Sequence, residues 1–79
     1  MNERRYQVVT WSSDIGSDEQ MDYNDEAAAI AEAMSYKGRE EYAAVYDRRT
    51  KTASVVFGNP SIRVFAEFVT IKEVSRQGI

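Results

Sequence analysis

Apolar positions fall on both faces of an extended chain over residues 4–11, Arg-Arg-Tyr-Gln-Val-Val-Thr-Trp, a run rich in β-branched and aromatic types. This pattern predicts a strand. Tyr6, Val8 and Thr10 share one face, and Gln7, Val9 and Trp11 the other. Each face carries apolar side chains, so the strand is expected to be covered on both sides. Residues 12–23 lose the pattern. Gly16 and the Ser/Asp content of this stretch mark turns, so it is read as a long polar loop.

A 3.6-residue period follows. Ala27, Ile30, Ala31 and Met34 are spaced i, i+3, i+4, i+7, which predicts a helix over Asp25–Tyr36. Asn24 is the expected N-cap, and Asp25 and Glu26 suit the positive end of the helix dipole. Lys37 and Gly38 supply a basic last turn and a C′ glycine. The alanines keep one face small enough for close approach to a sheet.

Alternation resumes over 41–57 and predicts a β-hairpin. Its arms are Glu41–Tyr46 and Lys51–Phe57, and its turn is Asp47-Arg48-Arg49-Thr50 with Asp at the favoured first position. Gly58-Asn59-Pro60 ends the second arm. From Ser61 to Val74 both periods fit. Ile62, Phe65, Ala66 and Val69 follow a helical spacing, while Val64, Ala66 and Phe68, or Phe65, Val69 and Ile71, fit an alternating one. The Ile/Val/Phe/Thr content favours a strand with a bend near Glu67, and Ser75–Ile79 is expected to fray. The predicted order is β-α-β-β-β. This makes an α+β fold, a mostly antiparallel sheet with one helix packed on one face.

Composition then narrows the chemistry. A chain of 79 residues makes one small domain with a thin core. It contains no cysteine and no histidine, which removes disulfides, thiolate nucleophiles, imidazole acid–base chemistry and the usual zinc ligands. The remaining carboxylates and hydroxyls show no catalytic spacing. Glu40 and Glu41, as neighbours on a strand, point to opposite faces. There is no glycine-rich phosphate loop. No catalytic residue, metal site or cofactor is implied, and the expectation is a non-enzymatic domain. No apolar run approaches the ~18 residues of a membrane span. No apolar segment follows the charged N-terminus as in a signal peptide, so cytoplasmic residence is expected.

The charge is unevenly placed. Asp14, Asp18, Glu19, Asp22, Asp25, Glu26 and Glu32 lie between residues 12 and 35 with no Lys or Arg, in a chain of net charge −3. Asp14-Ile15-Gly16-Ser17-Asp18 has its glycine too early for a calcium loop, and no closing Glu follows at the required spacing. Three contact surfaces remain. The first is the strand face with Tyr42 and Tyr46, joined by Trp11, as a protein-binding patch. The second is an acidic surface of Asp18, Glu19, Asp22, Asp25 and Glu26 imitating a phosphate backbone in the groove of a nucleic-acid enzyme. The third is a basic hairpin tip, Arg48, Arg49 and Lys51, touching phosphate. An acidic domain lacks the usual footprint of a nucleic-acid binder, so another protein is the expected partner. An apolar edge strand near 61–74 would also invite pairing with a second copy as a homodimer.

The Ala-rich helix Asp25–Met34 followed by Tyr42-Ala43-Ala44-Val45-Tyr46-Asp47-Arg48-Arg49-Thr50-Lys51-Thr52-Ala53 resembles small β-α-β-β domains encoded on phages and conjugative elements. The resemblance covers about residues 5–57. It implies a mobile-element accessory domain with protein partners and no catalytic residues.

Overall fold

In the computed structural model, residues 4–68 are described. Four strands form one antiparallel sheet: β1 (Tyr6–Ser12), β2 (Gly16–Tyr23), β3 (Tyr42–Asp47) and β4 (Thr52–Phe57). Their order across the sheet is β2-β1-β3-β4. Helix α1 (Glu26–Met34) lies on one face, and a second helix, α2, occupies 62–68 of the described residues on the other. The chain is α+β. Its element order is β-β-α-β-β-α over these residues.

The central strands β1 and β3 are buried on both faces. Their pairing runs from Tyr6↔Asp47 to Trp11↔Tyr42. Residues directly opposite share a face. Tyr6, Val8, Ala43 and Val45 therefore meet Ala29 and Ala33 of α1. Val9, Ala44 and Tyr46 meet Val64 and Phe68 of α2. The two faces of β1 are those that its alternation predicts.

Three expectations are corrected. First, most of the polar stretch 12–23 is not loop: it is the edge strand β2, paired with β1 from Tyr6↔Tyr23 to Ser12↔Gly16. Its side chains are polar because they bind polar partners. Gln20 Nε2 donates to Thr10 Oγ1 at 3.0 Å, and Ser17 Oγ donates to Glu67 Oε1 at 3.0 Å. Strand identity here comes from backbone pairing, so burial leaves no alternation to read.

Second, α1 starts one residue later than expected. Asp25, not Asn24, is the N-cap, and its Oδ2 accepts from the Ala28 amide at 3.0 Å. The last turn holds no basic residue. The buried stripe is Ala29 and Ala33, while Ile30 and Met34 are 41% and 42% exposed. The helix turns its smallest face to the sheet, because Tyr6, Tyr23 and Tyr36 already fill that layer.

Third, the described part of 61–74 is helix rather than edge strand. Ser61 caps it, with Oγ accepting from the Val64 amide at 3.2 Å and its carbonyl accepting from Phe65 at 2.9 Å. Val64 and Phe68, spaced i and i+4, are the buried pair. The expected fraying of 75–79 lies outside the described residues, as does the rest of the tail.

The tight turns keep the strands in register. Asp47 Oδ1 accepts from the Arg49 amide at 2.9 Å and the Thr50 amide at 3.4 Å, the role expected of an Asp opening the turn. Gly58 has φ +86, and a Cβ there would lie 2.6 Å from the Glu41 carbonyl oxygen. Only glycine allows both the conformation and this approach.

Candidate functional site

The aromatic trio of the sequence reading does come together. Trp11 and Tyr42 are cross-strand partners with ring centroids 5.3 Å apart, and Tyr46 lies four residues further along β3 on the same face. That face is the floor of the second core, beneath α2. Trp11 Nε1 donates to Glu67 Oε1 at 3.1 Å, which ties the helix down. Tyr46 has no exposed surface, so it is withdrawn as a contact residue. Its hydroxyl is buried and has no hydrogen-bond partner among the described residues.

The acidic residues do not share one surface. Asp18 pairs opposite Thr10 and Glu19 opposite Val9, so they face opposite sides of β2. Asp22 is bonded to Arg48 at 3.0 Å, and Asp25 caps α1. Glu26 sits beside the groove described below. Nor does the basic tip act as three free cations. Arg48 folds back over the sheet, reaching Asp22, Gln7 Oε1 at 2.6 Å and the carbonyl of Arg4. Arg49 and Lys51 are exposed and form no salt bridge among the described residues.

A polar seam joins α1 to β2. The Glu32 carboxylate accepts from Tyr23 at 3.2 Å and from Tyr36 at 3.0 Å, and Gln20 Oε1, 3.1 Å from the Tyr36 hydroxyl, is a second acceptor for the same proton. Burial, then the bond to Glu32, raises both phenol pKa values. The seam holds the helix against β2. No group of three or more metal-ligating residues occurs among the described residues. No described helix is long and apolar enough to cross a membrane.

What α1 leaves uncovered is at the opposite side. The helix lies mainly over β1, β3 and β2, and touches β4 least. Between α1 and β4 opens a groove of about 340 Å³. Tyr6, Val45 and Val56 line its floor, Ile30 and Met34 its helical wall, and Thr52 and Ser54 its outer lip. Glu26 and Asp47 close one end. Asp47 is held by Arg5 through two bonds of 2.9 Å, and these bonds press its pKa from 3.8 to about 2. One carboxylate at that end is thereby neutralised by its partner.

The groove adjoins a sheet edge. The two edges differ. β2 carries Asp18, Glu19 and Asp22, and both edge pairings have a register irregularity, that of β2 opposite Gln7/Val9 and that of β4 opposite Ala43/Ala44. The difference between the edges is charge, which is one device that prevents edge-to-edge pairing. β4, Thr-Ala-Ser-Val-Val-Phe, has no charged residue, and Val55 is 40% exposed. Sequence reasoning missed this site because it placed Ile30 and Met34 in the core and the free edge in the tail. The signal was present in the chargeless run between Lys51 and Gly58.

The geometry thus defines a small α+β domain with a groove of mixed apolar and polar lining beside a sheet edge, β4, that no other described strand pairs. Comparison of the chain with protein-family models, with curated proteins and with solved structures finds no match.

Proposed function

We propose that this chain is a protein-interaction domain that docks its partner by strand addition at β4. The carrying observation is the pairing of two features at one place: an uncharged edge strand and, beside it, a groove with the apolar side chains of Ile30, Met34, Val45 and Val56 in its lining. An incoming strand would satisfy the outer backbone groups of β4, which no other described strand pairs, while alternate side chains reach the groove between α1 and the sheet. Main-chain bonds give affinity in this mode and the groove gives selectivity. Binding, not catalysis, is the activity proposed. The accessory role implied by the mobile-element resemblance belongs to the same proposal. The acidic-mimic reading is less well supported, since Asp22 and Asp25 are committed to Arg48 and to the α1 cap.

Two single substitutions test it. Val55→Lys places a charge on the β4 edge, and Met21→Lys places one on the β2 edge, where Met21 is 63% exposed. Proteins captured by the wild-type chain are expected to be lost with Val55→Lys and kept with Met21→Lys. Capture unaffected by Val55→Lys contradicts the proposal.

A further inference from the structure

We infer that the turn end of the sheet receives a short acidic segment of another protein, held by Arg4, Arg49 and Lys51. The inference stands apart from strand docking at β4 and goes beyond it.

The fold gathers cations at this end. Of the ten Lys and Arg residues of the chain, Arg4, Arg5, Arg48, Arg49 and Lys51 lie here, brought from two distant parts of the sequence. The Arg48 amide donates to the Arg5 carbonyl at 2.9 Å, and the Arg48 side chain donates to the Arg4 carbonyl, so the β3–β4 turn packs against the entry to β1. The carboxylates beside these groups are already engaged. Asp47 takes Arg5 and Asp22 takes Arg48, and Glu26 also lies within range of the Arg5 charge. Arg4, Arg49 and Lys51 are exposed and make no salt bridge among the described residues.

Lys51 points to a ligand rather than to solubility. Its φ is +60, in the left-handed region where a side chain strains the backbone and glycine does not. Its amide donates to the Asp47 carbonyl at 2.7 Å, so the hairpin turn fixes this conformation. A charge needed only to keep the turn in water has Arg49 and Thr50 as exposed positions without that strain. Strain retained at an exposed turn position marks a side chain in use.

The surroundings select a short anion. Asp22, Asp25 and Glu26 border this end on the β2 and α1 side, since Tyr23 pairs opposite Tyr6. A nucleic-acid backbone running on from the turn meets those carboxylates, on a chain of net charge −3. A run of a few Asp or Glu residues in a protein can end where the cations end. Each guanidinium offers paired N–H donors that match a carboxylate, and Lys51 adds a point charge.

The test is an amide NMR titration of the isotope-labelled full chain with a hexaglutamate peptide, at low and high salt. Shifts are expected at residues 4–5 and 48–51, with affinity falling about tenfold or more at high salt. Replacing Arg49 and Lys51 together by Glu should abolish them with an unchanged circular dichroism spectrum. Lys51→Gly separates binding from folding. It should weaken the peptide about threefold or more, while its melting temperature stays the same or rises as the left-handed backbone is relieved. Absence of shifts at millimolar peptide overturns the inference, and so does an affinity indifferent to Lys51→Gly. Tighter binding of a hexathymidylate than of the peptide overturns it in favour of nucleic acid. Shifts confined to Thr52–Phe57 overturn it as well, and leave strand docking at β4 standing.

Discussion

Asp47 does three things with one carboxylate. It binds the Arg5 guanidinium in two places, accepts the amides that shape the β3–β4 turn, and stands at the closed end of the groove. The bonds from Arg5 are the chief cause of its lowered pKa, about 2 against an ordinary 3.8. A carboxylate depressed in the folded state contributes stability that is present above its unfolded pKa and is lost as pH falls through the folded one. The domain is therefore expected to lose stability between pH ~4 and ~2 through this residue. Thermal unfolding across that range checks it: Asp47→Asn should melt lower at neutral pH and show a shallower acid dependence. An identical acid slope in the variant would remove Asp47 as the cause. Arg48 makes a second cross-sheet clamp, to Asp22 and Gln7. Both clamps take charged side chains that look exposed in the sequence and use them to fasten the turn end of the sheet.

At the scale of elements, the sheet is stabilised by a helix on each face, and the α2 side depends on few side chains. Val64 and Phe68 supply its buried apolar contacts, and Glu67 fixes the helix to Trp11 and Ser17. Phe68→Ala is expected to cost about 3–5 kcal/mol, as much as a core of this size supplies. Chemical denaturation should show that loss, and Trp11 emission should shift to the red as its ring meets water. A loss below about 1 kcal/mol would mean that α2 is not a structural cover.

How much of this the sequence discloses varies by element. The two faces of β1, the β3–β4 hairpin and its Asp-opened turn follow directly from alternation and turn chemistry. The seven acidic and several polar residues around β2 conceal a strand, because an edge strand bonded to Thr10, Glu67 and Arg48 has no need of apolar alternation. α2 was half legible in the Ser61 cap and the helical spacing of 62–69, but β-branched content argues for strand at that length. The candidate site was the least legible part. A periodic stripe identifies Ile30 and Met34 as apolar. It does not tell that Ala29 and Ala33 take the sheet and leave them at the rim of a groove.

For the whole molecule, the organising fact is asymmetry between the two sheet edges. The α1 seam of Glu32, Tyr23, Tyr36 and Gln20 draws the helix towards β2 and away from β4. The β2 edge carries three carboxylates and the β4 edge none, and the proposed docking at β4 follows from that difference. The polarised charge of the sequence places Asp18, Glu19 and Asp22 on the β2 edge and Arg49 and Lys51 at the β3–β4 turn. Of the aromatic residues that look like a contact patch, Tyr46 is wholly buried in the core, while Trp11 and Tyr42 are half-buried beside it.

The central claim is that contacts with other chains form at β4. The most direct measurement places a photo-crosslinking side chain at position 55 or at position 21, one exposed site on each sheet edge, and compares the adducts. The account predicts strong adducts from position 55, to a second copy or another protein, and few from position 21. Adducts from position 21 alone, or in equal yield from both, would contradict it.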